Sequence, residues 1–172
     1  MPRMILAASI ATFACAGAAL AQAPALPELP AALKPGVLKP YLAVPAKGVQ
    51  IYMCNKTDSG AWAWTFKAPE AELADTAGTR IGKHYGGPTW DGNDGGKVVG
   101  AVKANAPAPT ASAIAWLLLD IKSREGSGQF TQAAGILRVN TAGGVAPTAG
   151  CDEARAGSEQ RVPYTATYYF LK

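Results

Sequence analysis

The sequence has one histidine, His84, and three cysteines among 172 residues, so chemistry that needs several imidazoles or a thiol cluster has almost nothing to draw on. Charged residues make up only 16% of the chain, and no two bases stand side by side. The formal net charge of +4 is therefore spread along the chain, without the basic patch that nucleic acid or an anionic membrane surface would need. Several signatures are missing outright. No serine sits in a G-x-S-x-G setting, so no serine hydrolase is marked. Gly126-Ser127-Gly128 runs on to Thr131 where a dinucleotide fingerprint needs its third glycine, and the segment that follows reads as a strand. No carboxylates are spaced to face each other across a cleft, as glycoside hydrolysis requires.

What is present begins with an export signal. Arg3 precedes an uncharged, alanine-rich run from Met4 to Ala21 that ends in Ala19-Leu20-Ala21. A basic start, an apolar stretch and small residues before the cut are what signal peptidase reads, so residues 1–21 are expected to be a signal peptide, cleaved after Ala21. No transmembrane anchor then remains, and the mature protein is expected to be periplasmic or secreted. Cleavage also removes Cys15 and leaves Cys54 and Cys151. Two cysteines in an oxidising compartment are expected to pair, tying an early strand to a late loop.

Six prolines between Pro24 and Pro45 remove backbone donors and fix φ. Residues 22–46 are read as an extended arm or linker, part of which lies against the domain, and residues 47–172 as a single β-rich domain. Trp62, Trp64 and Phe66 alternate with Ala63, Thr65 and Lys67, and Tyr164, Ala166, Tyr168 and Phe170 alternate with Thr165, Thr167 and Tyr169. That period of two is the mark of half-buried strands. Further strands are expected at Val49–Cys54, Thr79–Tyr85, Lys97–Lys103, Ile114–Lys122 and Phe130–Asn140. The unbroken apolar run Ile114 to Leu119 reads as a strand covered on both faces, and Gly126-Ser127-Gly128 as a turn that makes its flanking strands neighbours. A short helical turn is expected from Pro69 to Asp75. The fold class is all-β, a β-sandwich or irregular barrel of about 7–9 strands.

The segments Gly48 to Cys54, Trp64 to Pro69, His84-Tyr-Gly-Gly-Pro88-Thr-Trp90, Trp116 to Leu119 and Arg138-Val-Asn-Thr141-Ala-Gly-Gly144, followed by Pro147 and Cys151, occur in an order that resembles the family catalogued as domain of unknown function 3455. The likeness spans about Tyr41 to Lys172. It departs from the family pattern at Gly96 and Ala115, which fall in a turn and at a packing position. The resemblance implies an exported bacterial or fungal domain and brings no activity with it.

Chemistry-bearing residues concentrate in the glycine-rich stretch Gly82 to Gly96, which holds His84, Tyr85, Trp90, Asp91 and Asp94. His84 with Asp91 or Asp94 is the candidate constellation for acid/base work or a metal, although one histidine without an identified third ligand makes a poor mononuclear site. The bland alternative is that Asn93, Asp94 and the glycines simply make turns and that His84 is a hydrogen-bonded structural residue. Trp62, Trp64, Trp90 and Tyr85 are the candidate ligand-binding residues, since an exposed aromatic face would stack a sugar or an apolar molecule. The leading expectation is a non-catalytic ligand-binding or cell-envelope-associated protein of unknown biochemical function, without a cofactor and with no nucleic-acid partner. Its partner would be a small molecule, a glycan or an envelope protein. The alternative is a small metal-assisted enzyme centred on His84, Asp91 and Asp94.

Overall fold

The computed structural model describes residues 23–172, and the expected signal peptide over residues 1–21, with Cys15, lies outside the described residues. Eight antiparallel strands follow one another around a closed barrel: β1 (Pro40–Lys56), β2 (Trp62–Ala74), β3 (Arg80–Tyr85), β4 (Thr89–Gly92), β5 (Lys97–Ala106), β6 (Trp116–Glu125), β7 (Gly135–Gly143) and β8 (Glu159–Leu171). Closure comes from the long β1–β8 ladder, Pro40 opposite Leu171 through Met53 opposite Glu159, which leaves the sheet without a free edge along most of its length. Of the two architectures compatible with the strand pattern, the chain therefore adopts the barrel.

The up-and-down order puts the connections 57–61, 86–88, 107–115 and 144–158 at one end, here the mouth, and 75–79, 93–96 and 126–134 at the other. The far end is plugged. Phe130, in a 3₁₀ turn at Gln129–Gln132, is fully buried and stacks on Phe170 with ring centroids 4.5 Å apart. This turn replaces the first residues of the strand expected from Phe130, and the Arg124 guanidinium holds it by donating to the carbonyls of Thr131 and Ala133. Midway up, Trp90 and Tyr168 fill the lumen, their rings edge to face at 5.3 Å. A Cβ on Gly100 would stand 3.0 Å from the Trp90 ring, tighter than side chains ordinarily pack, so glycine lets β5 pass close to the indole without displacing it.

The segment Pro69 to Asp75 is strand and not the expected helical turn, because Pro69, Ala71 and Leu73 are buried in alternation along β2. The 3₁₀ turns lie instead at Ala31–Leu33, Gln129–Gln132 and Glu153–Arg155. The proline-rich segment is likewise shorter than residues 22–46, since β1 begins at Pro40. Pro45 is tolerated there because β1 pairs at that point with β8 alone, and the β2 ladder starts only at Ala46.

The residues before Pro40 are part of the packing. Leu26, Leu29, Leu33 and Leu38 lie against Trp116, Leu118, Leu137, Val139, Tyr169 and Leu171 on the outside of the barrel wall. Leu33 is completely buried, and each such side chain contributes about 1.5–3 kcal/mol. The arm explains the unbroken apolar run in β6, for Leu119 faces the lumen while Trp116 and Leu118 face the arm. Elsewhere the outer wall is charged, with the ion pair Arg80–Glu72 joining neighbouring strands and Lys67–Glu159 and Arg161–Glu70 reaching from β2 to β8 across β1, where a lipid-facing barrel carries an apolar belt. Among the described residues no helix is long and apolar enough to cross a membrane. Cys54, near the end of β1, is bridged to Cys151 in the connection 144–158, as the cysteine count requires.

Candidate functional site

The expected constellation is not assembled. In the β3–β4 ladder His84 pairs with Trp90 and Lys83 with Asp91, so alternation sends the imidazole into the lumen and the Asp91 carboxylate outward. Asp91 lies 3.5 Å from the Lys83 ammonium and accepts from the Tyr85 hydroxyl at 3.3 Å, all on the outer face. Asp94 sits at the far end of the barrel. Its Oδ1 accepts from the Gly96 amide at 3.2 Å and its Oδ2 from the Gln129 amide at 2.8 Å, which fastens the β4–β5 turn to the turn carrying Phe130. Among the described residues no group of three or more His, Cys, Asp and Glu side chains is placed to hold a metal ion.

His84 is 2% exposed. Its Nδ1 lies 2.8 Å from the Thr89 carbonyl, so Nδ1 carries the proton and donates, and the ring stacks on Trp90 at 4.6 Å. Burial holds the imidazole pKa down at about 3, helped by the positive charge of Arg138 and opposed by the hydrogen bond to Thr89. The residue is a neutral staple across the β3–β4 hairpin. Asp94 is structural in the same sense, and Asp94→Ala is expected to cost about 1–2 kcal/mol by orphaning two amides. Thermal unfolding checks this, and an unshifted midpoint would leave its two bonds without energetic weight.

Of the expected aromatic residues, Trp90 is locked in the core and Tyr85 lies outside the barrel under the Lys83 ammonium. Trp62 and Trp64 are half-buried on β2, and the Trp64 indole donates to the Ala149 carbonyl at 2.9 Å. Their face is set by a bulge. Gln50 opposes Pro69 and Tyr52 opposes Phe66, so Lys67 is one residue too many on β2. Beyond it the even positions of β2 take the side that Ala71 and Leu73 take within the barrel, which brings Phe66 over Tyr52, ring centroids 5.9 Å apart.

That bulge helps build a cavity of about 480 Å³, open at the mouth and lined by Gln50, Tyr52, Phe66, Leu117, Arg138 and residues of the connections 107–115 and 144–158. Tyr52 donates its hydroxyl to the Gly144 carbonyl at 2.6 Å, and Thr141 donates to the Ile114 carbonyl at 2.6 Å, so both connections are anchored to the barrel. Gly144, at φ +84°, packs against Tyr164, Ile114 and Gln50, where a Cβ would stand 2.9–3.1 Å from each.

Polar groups converge beneath this space. Arg138 is on the inner side of β7, between the outward Leu137 and Val139, and both its Nε and Nη2 donate to the Ala115 carbonyl at 3.2 and 2.8 Å. Tyr164 and Tyr168 share a hydrogen bond at 3.3 Å, and burial raises both phenol pKa values. Gln50 is 2% exposed and lies beside the Tyr164 hydroxyl, yet its Nε2 has no aligned acceptor among the described residues.

Residues 35–172 match the family model described as Protein of unknown function (DUF3455). The chain belongs to the DUF3455 family. No curated protein and no solved structure shows a significant match to it. The DUF3455 match starts inside the proline-rich segment, in line with the docking of Leu38 on the barrel wall. Sequence reading of this DUF3455 chain missed Gln50, Tyr52, Phe66, Leu117 and Arg138. The signal for two of them was available: a glutamine between Val49 and Ile51 and an arginine between Leu137 and Val139 are polar residues in strands otherwise built to be buried.

Proposed function

We propose that the domain is a non-catalytic binding module, exported from the cytoplasm, that takes a small molecule into the mouth of its barrel. The observation that carries this reading is the open cavity of about 480 Å³, with apolar walls and two polar side chains at its base. Ligand sites have this make-up, apolar lining with a few placed polar groups, in volumes of roughly 300–1,000 Å³. Export is supported by the leader read in residues 1–21 and by the Cys54–Cys151 bridge. The metal-assisted alternative has no geometric support, since His84 faces the lumen, Asp91 the outside and Asp94 the opposite end.

The test is a fluorescence titration of the mature protein with N-phenylnaphthylamine, an uncharged dye that brightens in apolar surroundings. Saturable one-to-one binding is expected. Val145 is exposed at the rim, so Val145→Trp should leave the fold intact by circular dichroism while weakening dye binding about tenfold, a change of about 1.4 kcal/mol. A signal that rises without saturation, or one indifferent to the rim substitution, would overturn the reading.

A further inference from the structure

We infer that the mouth selects a singly charged organic acid, with its apolar body against the walls and its carboxylate received by Arg138 and Gln50. The inference rests on the binding reading above and adds the class of ligand. Its first support is an imbalance of charge. Arg138 brings one positive charge to the cavity, and among the described residues no acidic side chain lines it. Arg138 takes part in none of the ion pairs among the described residues. A half-buried guanidinium whose neighbours are a carbonyl and the neutral Tyr168 hydroxyl is an incompletely compensated charge, and an anion at its open edge would recover part of the desolvation cost.

The second support is the supply of hydrogen-bond donors. Nε and Nη2 of Arg138 are spent on the Ala115 carbonyl, which leaves the Nη1–Nη2 edge without an aligned acceptor among the described residues. That edge matches the two oxygens of a carboxylate. Nε2 of Gln50 is a further donor, almost fully buried and lining the same cavity, with the Tyr164 hydroxyl beside it but no aligned acceptor among the described residues. Tyr52 is committed to Gly144, while the Tyr164 hydroxyl lies beside Gln50 and the Tyr168 hydroxyl beside Arg138, neutral acceptors that these donors would exchange for the stronger, charge-assisted bonds of a carboxylate. Around these donors stand Phe66, Ile114, Leu117 and Val145. One cation and, among the described residues of the lining, no second base fit a monoanion better than a phosphate ester, and the apolar walls call for a hydrocarbon or aromatic body.

Isothermal titration of the mature protein with octanoate and with octanol, which share a chain and differ at the head, tests the selection without altering the protein. Octanoate is expected to bind at least about tenfold tighter. Arg138→Gln should erase that preference while changing octanol binding less than about threefold, and Arg138→Lys, which keeps the charge but not the fork, should restore part of it. Thermal unfolding of each variant reports whether the fold survives. Equal binding of acid and alcohol, a preference that persists in Arg138→Gln, or no binding of octanoate would each overturn the inference. The dye titration separates the two claims: with dye bound and octanoate refused, the binding module stands and the acid selection falls; with neither bound, both fall.

Discussion

Replacing Cys54 and Cys151 together by serine is expected to lower the unfolding free energy by about 4 kcal/mol. The bridge joins residues 97 positions apart, and closing a loop of about 100 residues is worth up to about 4.7 kcal/mol in the chain-entropy account. Part of the ordering survives its loss. The Cys54 amide donates to the Ser158 carbonyl and the Gly157 amide to the Cys54 carbonyl, both at 2.9 Å, so the end of the connection 144–158 stays attached to β1. The effect should therefore fall mainly on the unfolded chain. Urea denaturation checks this through two quantities: the midpoint should drop, and the slope of free energy against urea should steepen, because the unbridged chain exposes more surface when it unfolds. A lower midpoint with an unchanged slope would place the loss in the native mouth, and an unchanged midpoint would make the bridge dispensable.

The sequence shows which residues face inward along a strand far better than it shows how strands meet. Tyr164, Ala166, Tyr168 and Phe170 are all buried, as their alternation requires. Closure depends on β1 meeting β8 across nearly the whole chain, and no local pattern encodes that pairing. The bridge comes closest, since Cys54 and Cys151 bind β1 to the connection that enters β8. β4 escaped detection because its four residues, Thr89 to Gly92, are too few to show a period and lie in a stretch whose glycines read as loop. The bulge at Lys67 escaped for a different reason. One inserted residue reverses the facing of everything before it in β2, and it is visible only as a mismatch between partners.

The candidate site was hidden by the same physics. Rare residue types drew attention to His84 and Asp91, but neighbours along a hairpin point to opposite faces, so closeness in sequence is no measure of closeness in space. Gln50 and Arg138 come from distant strands and meet only because the barrel closes. The lumen thus changes character along its axis, from stacked phenylalanines at the far end, through Trp90, His84 and Tyr168, to an arginine and an amide below the mouth. The plugged end holds the wall together, and the mouth is free to carry groups that contribute little to folding.

His84 stands at the boundary between these halves, and it should make the protein acid-sensitive. Its pKa falls from 6.5 to about 3 on folding, chiefly because burial penalises the imidazolium. The unfolded chain therefore takes up a proton that the folded chain refuses. The contribution is fully present above pH 6.5 and is lost as pH falls from 6.5 toward 3, by about 1.4 kcal/mol per pH unit and about 5 kcal/mol in all. Urea midpoints measured from pH 7 to pH 5 isolate the histidine, since ordinary carboxylates remain ionised through that range. About 2 kcal/mol should disappear there. His84→Phe keeps a ring against Trp90 but leaves the Thr89 carbonyl unpaired, so it should be less stable at pH 7 by about 1–3 kcal/mol and nearly flat over the same interval. The two curves should converge as the medium becomes more acidic. Parallel curves would mean that the imidazole takes up its proton in the folded barrel, which contradicts a ring sealed between Trp90 and Tyr168.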